Sequence, residues 1–128
     1  SSGMRKVDYE ALINRVKPDT AMALVLSLPD TNITNFTYML NSCGYIIEKC
    51  IPMSKNFQQE VELRLYQKCL NLVNSFNEIT ICSNSLNTIT LVETLQGLGK
   101  IVHVSGIGIS TQLRTQAHTW YEIREFCK

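Results

Sequence analysis

Five short apolar runs, separated by segments of helical periodicity, constrain this chain more than any other feature of its sequence. Ala21–Leu26 is continuously apolar and is closed by Leu28-Pro29-Asp30. A run of that length before a turn predicts a strand buried on both faces. Tyr45–Ile51 predicts a second strand, stopped by Pro52, and Glu78–Ser83 a third. Ile101–Val104 predicts a fourth, and Trp120–Ile123 a fifth at the sheet edge.

Helical spacing fills the intervals. Val7, Ala11, Leu12 and Val16 predict a first helix, opened near Asp8 and ended at Lys17-Pro18. Ile33, Phe36, Met39 and Leu40 share a face of a second, capped by Asn32 or Thr34 and closed by Gly44. The longest pattern runs from Asn56 to Phe76, with Val61, Leu65, Cys69, Leu72 and Val73 on one face. Leu63, Tyr66 and Leu70 widen that face, which suits a helix packed on two sides. Helices over Thr88–Leu98 and Ser110–Ala117 follow. Strand and helix alternating with short connections predict an α/β fold, a central, mostly parallel sheet in a three-layer α/β/α arrangement. The working surface of such a sheet lies beyond the carboxyl ends of its strands.

At 128 residues the chain suits one domain, expected over residues 5–128. Residues 1–4, Ser1-Ser2-Gly3-Met4, read as a cloning remnant outside the fold. Twelve basic and 11 acidic side chains give a net charge of +1, so no global field draws nucleic acid or anionic lipid. The only charged side chains from Ile79 to Tyr121 are Glu93, Lys100 and Arg114. Five cysteines, an odd count without a CxxC, predict free thiols in a reducing intracellular compartment, cytoplasm or nucleus. No apolar run is long enough to span a bilayer, so no membrane association is expected.

The C-terminal half carries a resemblance. Ile79-Thr80-Ile81-Cys82-Ser83-Asn84-Ser85-Leu86-Asn87, running into Thr88–Leu95, resembles the strand, loop and helix of NYN domains, which are PIN-like ribonucleases. Leu98–Gly106 is similar to that family's Gly-Lys strand and Gly turn, and Ser110-Thr111-Gln112-Leu113-Arg114 to its Ser/Thr-x-x-Leu-Arg helix start. The resemblance implies a Rossmann-like PIN/NYN-type sheet. In active members it also implies carboxylates at the strand ends that hold Mg²⁺ or Mn²⁺ for RNA cleavage.

On this chain most of those acidic positions are not acidic. They fall on Ser27, Lys68, Ser85, Asn87 and His118, and only Glu62 remains a carboxylate. Asp30, three residues beyond Ser27, is the one nearby acid. The resemblance therefore implies a pseudonuclease with no metal or cofactor, an RNA-associated or protein-interaction module. One alternative is a divergent Mg²⁺- or Mn²⁺-dependent endoribonuclease using Glu62 and Asp30. Another is a protein-only scaffold. Lys55, Arg64, Lys68 and Arg114 are the candidate RNA contacts. The wide apolar helix face is the candidate surface for a protein partner or a homodimer. The loop Gly106-Ile107-Gly108-Ile109-Ser110 matches neither phosphate-loop fingerprint and reads as a turn. Cys82 with His103 or His118 reads as core residues rather than a nucleophile pair.

Overall fold

Asp8 starts the first helix by chemistry that its sequence position announces. Its carboxylate accepts the Ala11 N–H at 3.0 Å, satisfying one of the donors that a helix start leaves open. The helix, α1, spans Tyr9–Val16 and ends at Lys17, whose φ of 52° is left-handed. Pro18 follows directly and cannot continue the helix. The computed structural model describes residues 7–83, 85, 87–106 and 115–122. Asp8–Leu65 form one compact unit, and the chain from Tyr66 onward belongs to another. Residues 1–4 lie outside the described residues.

In the first unit, β1 (Ala21–Leu26) pairs in parallel with β2 (Tyr45–Cys50), Ala21 opposite Tyr45 and Leu26 opposite Cys50. The helix α2 (Thr34–Cys43) connects them. Asn32 Oδ1 accepts the Thr34 N–H at 3.0 Å at its entry. Gly44, at φ +109°, terminates it in the left-handed conformation, where a side chain would be strained. A Cβ there would also meet Ile13 Cδ1 at 3.4 Å. Successive side chains of a strand alternate faces, so Ala21, Ala23 and Val25 lie together with Tyr45 and Ile47. That face packs with Leu40 and with Tyr9, Ile13, Ile33 and Cys43 into the unit's core. The Tyr45 hydroxyl, brought into this core, donates to the Tyr9 carbonyl at 2.8 Å. Met22 and Ile46 are register partners on the opposite face, and both are exposed. The expectation that β1 is buried on both faces is therefore corrected at Met22.

The helix α3 (Phe57–Asn71) follows, then a 3₁₀ turn at Val73–Ser75. The single helix expected from Asn56 to Phe76 thus breaks near Asn71. Asn71, Asn74 and Ser75 crowd its end, and such side chains compete with helical hydrogen bonds.

In the second unit, β3 (Glu78–Cys82), β4 (Ile101–Gly106) and β5 (Thr119–Glu122) form a parallel sheet in that order. The helix α4 (Thr88–Gly97) crosses from β3 to β4 and packs against β4. Leu91, Val92 and Leu95 on α4, with Ile81, Val102 and Val104, are almost completely buried. Gly99, at φ +83°, makes the turn into β4. Thr115 and Gln116 are helical, while the rest of the helix start expected from Ser110 lies outside the described residues. The architecture is α/β with parallel strands. No helix among the described residues is long and apolar enough to cross a membrane.

Candidate functional site

The carboxyl end of β3 carries the polar loop that the sequence singles out. Ser83 extends the ladder one step beyond the strand, its N–H donating to the Ser105 carbonyl at 3.0 Å. Its hydroxyl then accepts twice, from Thr88 Oγ1 at 2.8 Å and from the Ser85 N–H at 3.3 Å. Ser85 repeats the motif, its Oγ accepting the Asn87 N–H at 3.1 Å and its carbonyl the Thr88 N–H at 3.0 Å. Each hydroxyl closes a short turn of the kind serine and threonine favour, and together they lead the chain into α4. Thr88 is 4% exposed, so its hydroxyl needs the Ser83 partner. The oxygens of this loop are neutral and largely committed to one another.

Behind the loop, one face of the β3–β4 pair is polar. Glu78, Thr80 and Cys82 share it with His103 and Ser105, and Ile101, opposite Glu78, is its one aliphatic member. The His103 ring, mostly buried, hydrogen-bonds through Nε2 to the exposed Glu78 carboxylate. Part of Cys82 reaches the surface, yet protein atoms surround its thiol. Desolvation pushes the thiol up to about 11, and the neighbouring Ser105 side chain opposes the shift only in part. The thiol is protonated at neutral pH, which disfavours a nucleophilic role.

His118 lies elsewhere. Its N–H donates to the Val102 carbonyl at 2.9 Å, and its Nδ1 accepts the Val102 N–H at 3.0 Å. Gln96, near the end of α4, contacts His118, donates through Nε2 to the Gln116 carbonyl and accepts the Gln116 side-chain amide at 2.9 Å. Val102 and Ser105 are three residues apart on β4, so about 10 Å of strand separates the anchor of His118 from that of Ser83. The histidine thus ties the entry of β5 to the amino end of β4, while Ser85 and Asn87 sit at the carboxyl end. Lys68 also belongs to this unit; it is half-buried on α3 and has an interaction partner.

Ser27, Asp30, Lys55, Glu62 and Arg64 belong to the other unit. Ser27 follows β1 and donates its N–H to Cys50 O at 2.9 Å. Asp30 is exposed in the turn closed by Thr31 N–H to Leu28 O at 3.1 Å. Glu62 is half-buried on α3 and is engaged in an interaction. Arg114 and residues 107–110 of the glycine loop lie outside the described residues. Among the described residues, no group of three His, Cys, Asp or Glu is placed to hold a metal ion.

Sequence reasoning did not anticipate Glu60. Its Oε2 accepts the Met53 N–H at 2.8 Å and so ties down the loop after β2. That hydrogen bond holds its carboxyl below the ordinary 4.5 against the opposing desolvation, with further help from Ser54 and then Arg64. Nor did the sequence mark Thr88 as more than a helix start. The available signal is the hydroxyl spacing Ser83, Ser85, Thr88 across a strand-to-helix junction.

No family model and no curated protein matches the sequence. Among solved structures, the chain is similar to a crystal structure of a protein of unknown function from Vibrio parahaemolyticus. The TM-score is 0.87 at 16% identity, over 99% of this chain and 85% of that one. At that identity the likeness establishes a shared fold and carries no function.

Proposed function

We propose that the chain is a catalytically degenerate NYN/PIN-like domain, with a three-layer Rossmann-like sheet, acting as an RNA-associated or protein-interaction module. The observation that carries this reading is the loop after β3. Where the resemblance implies carboxylates, Ser85 and Asn87 stand in a neutral loop whose hydroxyls accept the chain's own N–H groups. Hard divalent cations favour anionic oxygens, and such a loop contributes none. Lys55, Arg64, Lys68 and Arg114 are the basic residues proposed to meet RNA phosphates. Leu63, 56% exposed on α3, supports the alternative contact with a protein partner or second copy. Four described cysteines without disulfides favour a reducing compartment, the cytoplasm or nucleus.

The test is incubation with single-stranded RNA and Mn²⁺, alongside a gel shift at two salt concentrations. The reading expects no cleavage, and binding that weakens steeply with salt if RNA is the partner. Cleavage abolished by Glu62→Gln would replace it with the metal-dependent ribonuclease built on Glu62 and Asp30. Salt-independent absence of RNA binding, with self-association in light scattering, would leave the protein-interaction role.

A further inference from the structure

No further inference is drawn: the strongest candidate, the exposed apolar patch of Met22 and Ile46 on β1 and β2 with Ile51 and Met53 in the loop beyond, is an unpartnered face, and nothing in the structure shows what covers it.

Discussion

Removing the two hydroxyls of the Ser83–Thr88 bond one at a time should give unequal losses of stability. Thr88→Val keeps the shape of a side chain that is 4% exposed and deletes only its donor. Ser83 Oγ still accepts the Ser85 N–H at 3.3 Å, so no buried acceptor is stranded. The expected loss is that of one net hydrogen bond, about 1 kcal/mol. Ser83→Ala does more. It strands the buried Thr88 hydroxyl and removes the acceptor for the Ser85 N–H, which raises the expected loss to about 2 kcal/mol. Once Thr88 is valine, the stranding disappears, so the double variant should lose less than Ser83→Ala alone, between about 1 and 2 kcal/mol instead of the additive value of about 3 kcal/mol. Urea denaturation of the four proteins measures the cycle, and about 1 kcal/mol corresponds to about 4 °C in melting temperature at this size. Equal single losses that add without coupling would refute the bond as the organiser of the loop.

Four positions elsewhere give further checks. Leu40→Ala, at a site 2% exposed in the core of the first unit, should cost about 3 kcal/mol in urea titration. Met53→Ala, at 90% exposure, should stay within about 0.5 kcal/mol of the parent. Glu60 should titrate in NMR with a midpoint below 4.5, because its charged form accepts the Met53 N–H. Its stabilisation is then fully present above pH 4.5 and is lost as pH falls through the lowered folded value; Glu60→Gln should flatten that limb of the stability profile. Cys82, with its thiol near 11 instead of 9.0, should react with iodoacetamide at pH 7.5 about 10-fold or more slower than an unperturbed thiol, the lower thiolate fraction outweighing its greater nucleophilicity. Labelling at the unperturbed rate would mean that the thiol is solvated.

The strands were the most legible part of the chain, because apolar runs bounded by turn residues need no tertiary knowledge. β1 begins and ends where its run does, at Ala21 and Leu26. β4 is longer than its run. Ser105 and Gly106 show no apolar signal, and they are strand because Cys82 of β3 pairs with Ser105 and Tyr121 and Glu122 of β5 pair with both. Such pairing is long-range and invisible to periodicity. The exposed face of β1 is hidden for a related reason: Met22 and Val25 look alike in a run, and only the packing partner of each face distinguishes them. At the candidate site the residue types were readable, but the hydrogen-bond circuit was not. Whether Ser83 bonds Ser85, Thr88 or solvent depends on how β3 is aimed into α4. The resemblance aligns His118 with the family's acidic set by order along the chain. Its bonds to Val102 place it at the other end of the strands from Ser85.

The absence of acids in this loop carries functional weight only if the fold would tolerate them, and the geometry says that it would. Ser85 Oγ accepts the Asn87 N–H just before α4. An aspartate carboxylate makes the same turn and is as favourable as serine at helix starts. Asn87 is exposed at the cap position of α4, where the partial positive charge of the helix end favours an anion by about 0.3–1 kcal/mol. Ser85→Asp and Asn87→Asp should therefore each leave stability unchanged within about 0.5 kcal/mol or raise it slightly. A loss above about 1 kcal/mol in either single variant would show that packing, not the dismissal of a metal, selects the neutral residues. In that case the serine and asparagine say nothing about catalysis, and the pseudonuclease reading loses its main support. If both aspartates are tolerated, physical chemistry imposes no neutral loop here. The neutral loop then keeps its weight in favour of the proposed pseudonuclease.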